Sequence, residues 1–127
     1  MTRREIEEGL EKIFETYQKY DIGLYAIISK EDYRIIGSTG LLVHTIEEGN
    51  EYEICYRLSQ KYWGSGLGTE AVKAVISYIQ KEKKFFRLVS LIDPRNDKSI
   101  RVAIKAGAVF EKKILFHGKF FHVYLYS

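Results

Sequence analysis

The chain has 127 residues, with 20 Lys and Arg against 17 Asp and Glu and a formal net charge of +3, which suits one domain rather than two. Its 46% hydrophobic and 29% charged residues belong to a globular chain able to bury a core, not to a disordered one. The mild, dispersed charge gives no basis for nucleic-acid binding, no apolar run approaches a membrane span, and the single cysteine, Cys55, excludes a disulfide framework or a cysteine-rich zinc site.

One cysteine and the charged start Met1-Thr-Arg-Arg-Glu predict a cytoplasmic protein without a signal peptide. Thr2 and Glu5 have capping-box spacing, and Ile6, Leu10, Ile13, Phe14 and Tyr17 follow at helical intervals, so an amphipathic helix is expected over roughly residues 3–19. Leu24–Ser29 and Ile35–Val43 flank a charged turn and read as a hairpin. In the next strand, Glu51–Leu58, one face carries Tyr52, Ile54, Tyr56 and Leu58, and the other carries Glu51, Glu53, Cys55 and Arg57. A glycine-bearing loop, Ser59–Gly68, leads into a helix from about Thr69 to Lys81. Then come a strand Phe85–Ile92, the turn Asp93-Pro-Arg-Asn96, and a helix ending near Gly107. A hairpin of Val109–Phe116 and Phe120–Tyr126 closes the chain. The predicted class is α+β: a mixed, mostly antiparallel sheet flanked by helices, ordered α-β-β-β-α-β-α-β-β, with one crossover that makes a parallel pair.

The stretch Trp63-Gly64-Ser65-Gly66-Leu67-Gly68-Thr69 sits between a strand and a helix. Glycines there let a ligand approach the backbone closely, and the helix N-terminus behind them favours an anion such as a pyrophosphate. The alternative is a tight turn with no ligand. A P-loop is excluded, because Gly68 is followed by Thr69-Glu70 rather than Lys-Ser/Thr. A dinucleotide-binding unit is a partial match: Thr69 stands where its third glycine belongs, and Asp93 could supply its acidic residue.

The run Tyr62-Trp63-Gly64-Ser65-Gly66-Leu67-Gly68-Thr69-Glu70-Ala71 resembles the pyrophosphate loop of GNAT N-acetyltransferases, RimJ/RimL-like branch, which often reads Tyr-Trp-Gly-x-Gly-x-Ala/Gly-Thr-Glu-Ala. Pro94-Arg-Asn96-Asp-Lys-Ser99-Ile-Arg-Val102-Ala-Ile-Lys105-Ala-Gly107 is similar to the branch's Pro-x-Asn-x-x-Ser-x-x-Val-x-x-Lys-x-Gly, and Glu53-Ile-Cys-Tyr-Arg-Leu58 to its Glu-Ile-Gly-Tyr-x-Leu strand. The resemblance runs from about Tyr25 to Tyr126. It implies one acyl-CoA N-acyltransferase-like domain over residues 1–127, with acetyl-CoA as cosubstrate, no metal, and direct attack of an amine on the thioester. The acceptor it implies is a protein N-terminus or a small amine.

By the same resemblance, Trp63, Gly64, Ser65, Gly66, Leu67, Gly68 and Thr69 would hold the pyrophosphate, the strand end at Leu58 would lie beside the pantetheine arm, and Asn96 would hydrogen-bond that arm. Ser99 takes the position of a serine proposed to protonate the departing thiolate; the plainer reading is a first-turn serine bonded to the backbone. Glu53 could relay the amine proton, or be a solvated carboxylate on a sheet face. The tyrosine acid of many GNAT members would fall at Ala103. The family's Gly-Phe is Gly107-Ala108 here, and an acidic residue often found in the last strand is His122. Cys55 has no partner pattern for a nucleophile and reads as a buried small hydrophobe. His44, His117 and His122 lack metal-ligand spacing and fall on hairpins.

Three further expectations follow. Complete GNAT folds begin with a strand and a helix that have no counterpart before residue 3, which keeps a non-catalytic acyl-CoA-binding module open as an alternative. Leu24–Ser29 is apolar, free of proline and uncharged, so as an edge strand it predicts a homodimer formed with helix 3–19. Glu47, Glu48, Glu51 and Glu53 would form an acidic patch attracting a protonated amine.

Overall fold

A computed structural model describes residues 2–46, 49–83 and 87–126. Helix α1 (Arg3–Tyr20) starts on the expected capping box: Thr2 Oγ1 accepts from the Glu5 amide at 3.1 Å, and the Glu5 carboxylate accepts from the Thr2 amide at 3.3 Å. The chain continues as β1 (Leu24–Ile28), β2 (Ile35–Ile46), β3 (Gly49–Leu58), α2 (Leu67–Tyr78), β4 (Leu88–Ile92), α3 (Asp97–Lys105), β5 (Ala108–Phe116) and β6 (Lys119–Tyr126). The six strands form one sheet in the order β1-β2-β3-β4-β6-β5, antiparallel throughout except for β3 and β4. This is the α+β class read from the sequence.

Several boundaries move for local reasons. β2 extends past Val43 to Ile46, because His44 and Thr45 pair in register with Glu51 and Asn50. α2 starts at Leu67, two residues before the expected Thr69, because Gly66 at φ 84° turns the chain into it as N-cap. It then widens into a π turn over Ile79–Lys83, which keeps Ile79 fully buried. The expected strand start at Phe85 lies outside the described residues.

Alternation along the strands divides the core between the two faces of the sheet. On one face, Leu41 and Ile54 pack with Val72, Ile76 and Ile79 from α2 and its π turn, with Leu88 and Ile92 of β4, and with Ala103 of α3. Each fully buried Ile, Leu or Val there contributes about 1.5–3 kcal/mol. On the other face, Ile46, Val89, Ile114 and Val123 form a smaller cluster packed by Leu91, Phe116, Phe121 and Leu125.

β1 pairs with β2 only as far as Gly40, and α1 flanks the stretch of β2 beyond it. Tyr20 meets Tyr52 edge-on at 5.7 Å and Tyr17 meets Tyr25 at 6.5 Å. Only Thr16 of α1 is buried; the stripe Ile6, Leu10, Phe14 and Tyr17 is 48%, 48%, 65% and 46% exposed. Among the described residues no helix is long and apolar enough to cross a membrane.

Candidate active site

The parallel junction of β3 and β4 is short: among the described residues its one ladder pair is Glu53 opposite Val89. Side chains take over the hydrogen bonding where the strands part. Ser90 Oγ donates to the Ile54 carbonyl at 3.2 Å and accepts from the Tyr126 hydroxyl at 2.7 Å. Burial pushes that phenol up to about 12. On the opposite face, the Glu53 carboxylate accepts from the Leu91 amide at 3.2 Å.

Beyond this gap opens a cavity of about 500 Å³, bounded by the end of β3, the N-terminus of α2 and one side of α3. Its glycine wall is Gly64, Gly66 and Gly68. Gly64 and Gly66 take φ of 78° and 84°, a region that favours glycine, and a Cβ on either would meet nothing within 4 Å. The backbone is therefore bare towards the cavity at both positions. Gly66 has no side chain to cap α2, so the amides of the first turn depend on another acceptor. At Gly68 a Cβ would press on Tyr56 at 3.3 Å, so helix and strand pack closely there.

The remaining walls are polar and basic. Trp63 donates its indole N–H to the Leu58 carbonyl at 2.8 Å and carries Lys98 Nζ 4.2 Å above its ring. Lys98, Arg101 and Lys105 present successive turns of α3 to the cavity, and Arg57 joins them from β3. Asn96 caps α3, its Oδ1 accepting from the Ser99 amide at 3.2 Å, which leaves both Nδ2 donors to offer a ligand. Ser99 Oγ lies 3.5 Å from the Tyr56 hydroxyl.

Of the residues singled out in the sequence, Leu58, Trp63, Gly64, Gly66, Gly68, Thr69, Asn96 and Ser99 line this one cavity. Ser65 and Leu67 do not. Ser65 turns its hydroxyl to the Tyr62 carbonyl, and Leu67 is half-buried as the first residue of α2. Glu53 is not a cavity wall either; it projects from the other face of β3, beside His44. Tyr56, Lys98, Arg101 and Lys105 were missed. The spacing of the three cations along α3 was the available signal, since positions three and four apart share a helix face.

The acidic patch is corrected. Glu51 is buried and bonded by the Arg87 guanidinium, with the nearest contacts at 3.0 Å, and Glu53 is tied to His44 and Leu91, so neither is a solvated charge. Glu47 and Glu48 lie outside the described residues. His44 lies on the β2–β3 hairpin as expected and is buried there: it is 8% exposed, with Nε2 2.7 Å from Glu53 Oε1. Asp93 is held by Arg95 at 3.0 Å and Lys119 at 2.6 Å, which keep its carboxyl well below the usual range and occupy the oxygens a ribose would need. With a mostly antiparallel sheet, that removes the dinucleotide reading. Burial pushes the Cys55 thiol well up, as suits a packing residue.

Residues 1–109 match the acetyltransferase (GNAT) domain family. The chain belongs to that family. Among curated relatives, Bacillus subtilis YkkB is 35% identical over 95 residues, covering 75% of this chain and 55% of YkkB. The N-acetyltransferase p20 of Bacillus licheniformis is 30% identical over 109 residues, covering 81% of this chain and 60% of its own length. The GNAT chain thus spans little more than half the length of these relatives. An acetyltransferase from Agrobacterium tumefaciens superposes with a TM-score of 0.86 at 21% identity, over 100% of this chain and 73% of its own. The ribosomal-protein-S5-alanine acetyltransferase of Vibrio fischeri gives 0.73 at 22% identity, over 93% and 68%. The aminoglycoside acetyltransferase AAC(6')-Ib, solved with ribostamycin and coenzyme A, gives 0.75 at 18% identity, over 89% and 68%. All three share the GNAT fold with this chain.

Proposed function

We propose that the chain is a single N-acetyltransferase domain that moves an acetyl group from acetyl-CoA to a primary amine. The observation that carries this reading is the cavity at the end of β3. Its bare glycine backbone and uncapped helix start suit a pyrophosphate, and its three cations along α3 suit the remaining phosphate charge. The amides around Gly64, Gly66, Gly68 and Thr69 would hold the diphosphate. Leu58 and the Asn96 amide would border the arm, and Lys98, Arg101 and Lys105 would neutralise charge. When bound, acetyl-CoA supplies a thioester whose carbonyl an amine can attack.

The chain's own groups divide the proton work. Glu53 takes one proton from the acceptor ammonium and frees its lone pair. Ser99 holds a proton at Oγ on the cavity side, with the Tyr56 hydroxyl beside it to replace that proton. The acceptor is a small amine or a protein N-terminus; the aminoglycoside-bound and ribosomal-protein enzymes of the same fold support that range. The reading places the protein in the cytoplasm. It also makes it a homodimer through the outer edge of β1 and the exposed stripe of α1; a monodisperse monomer in light scattering at high micromolar concentration refutes the dimer.

Calorimetry with acetyl-CoA and with NAD, followed by thiol release against an amine panel, tests the function. Acetyl-CoA binding with turnover is expected. Binding without turnover would make the chain an acyl-CoA-binding module, and NAD binding alone would overturn the assignment.

A further inference from the structure

The Glu53 carboxylate is reached from three directions. His44 Nε2 on β2 lies 2.7 Å from Oε1, the Leu91 amide on β4 donates to Oε2 at 3.2 Å, and Cys55 Sγ on β3 lies 3.6 Å from Oε1. Behind the imidazole, α1 brings Lys12 Nζ into contact with His44 Nδ1. The ring is also packed against Phe116 of β5, with centroids 5.1 Å apart and the planes at 66°, so its orientation is set by packing as well as by polar partners.

The direction of these bonds is fixed by valence. A lysine ammonium has three donors and no acceptor. While Lys12 is charged, Nδ1 must accept, the ring proton resides on Nε2, and Nε2–H donates to Glu53. The other ionisable neighbours leave this order intact. Glu15 on α1 and Cys55 and Glu53 on β3 favour the charged lysine, opposing the burial that pulls it below its ordinary value. Glu51, opposite His44 in register, is engaged by Arg87. β4 contributes only its amide.

We propose that Lys12 and His44 are positioning residues for Glu53: the carboxylate takes the Nε2–H of the imidazole, Lys12 keeps a second proton off Nδ1, and His44 so fixed holds the carboxylate at the gap between β3 and β4. This rests on the acetyltransferase reading only for its catalytic consequence, because the tautomer is a property of the protein alone. In the reaction one proton passes from the acceptor ammonium to Glu53, and His44 and Lys12 neither gain nor lose one.

Long-range ¹⁵N–¹H NMR of the imidazoles, with His44 assigned through His44→Gln, reads the tautomer directly. The wild type is expected with its one ring proton on Nε2, Lys12→Met with a proton on Nδ1 as well, and Lys12→Arg as Nε2–H alone again. In turnover assays Lys12→Met should lower kcat about tenfold with the KM for acetyl-CoA unchanged, and Lys12→Arg should restore it. An unchanged ring protonation in Lys12→Met, or a loss of kcat that Lys12→Arg does not rescue, overturns the proposal. If Lys12→Met fails to fold, the wild type alone decides: a ring protonated at Nδ1, alone or together with Nε2, overturns the proposal. A wild type that holds the Nε2–H form but turns over no amine would count against the function and not against this arrangement.

Discussion

The two sides of β3 carry two kinds of polar construction. On the cavity side, the groups that face a ligand are backbone amides at glycines and cations along one helix, exposed at Gly64, Gly66, Lys98, Arg101 and Lys105. On the reverse side, Glu53, His44 and Lys12 come from three elements and satisfy one another away from bulk water. The first arrangement needs a ligand to complete it. The second is complete already, so it can hold a carboxylate in place before anything binds. A substitution on one side should therefore change affinity, and one on the other should change rate.

The sharpest way to break that division is Glu53→Gln, which keeps the shape and removes the base. Turnover should fall by about a hundredfold while acetyl-CoA affinity measured by calorimetry stays the same. Loss of affinity instead would mean that Glu53 belongs to the cofactor side. Next in size is Gly66→Val. A branched side chain at φ 84° is strained and projects into the cavity, so acetyl-CoA binding should weaken at least tenfold, about 1.4 kcal/mol, in a protein whose circular dichroism is unchanged. Wild-type affinity in that folded variant would remove the loop from the site.

The third prediction concerns pH. Burial lowers the Lys12 pKa, so the ammonium is lost at a pH below that of an ordinary lysine. With it goes the positive charge behind the His44–Glu53 pair. The alkaline limb of kcat should therefore appear early in the wild type and move upward in Lys12→Arg, whose guanidinium does not titrate in that range. Superimposable profiles would dismiss the lysine. The smallest effect is at Cys55. Its raised pKa leaves little thiolate, so alkylation of the native protein should be about a hundredfold slower than that of the unfolded chain. Equal rates would show an open, reactive thiol.

The contrast also explains what could be read in the sequence. Glycines, the tryptophan and the caps act through local backbone geometry, so Trp63–Thr69 and Pro94–Ser99 announced their positions within a few residues of chain. Alternation and helical spacing likewise gave every strand and helix to within a few residues. The reverse side left no such trace. Lys12 and His44 are separated by 32 positions, and only the path of α1 past β2 brings them together. Glu51 and Glu53 were read as solvated for the same reason: the cation that covers Glu51 lies 36 residues on, and the histidine that meets Glu53 belongs to the neighbouring strand.

The thin parallel junction at Glu53 and Val89 has a consequence for how the molecule comes apart. β1, β2 and β3 follow one another in the chain and pair as neighbours, and β4, β5 and β6 do the same apart from one exchange of order. The sheet is thus two locally wired halves, joined by one short ladder, the side-chain bonds of Ser90 and Glu53 beside it, α2 and the Arg87 clamp, whose guanidinium bonds Glu51 on one half and Glu111 on the other. Each half can close its own short loops cheaply; the join alone must wait for a long connection. Amide exchange should accordingly resolve two protected blocks that open separately, with the seam running through the ligand cavity. Anything that fills that cavity touches both halves at once, and would bind them into a single cooperative unit.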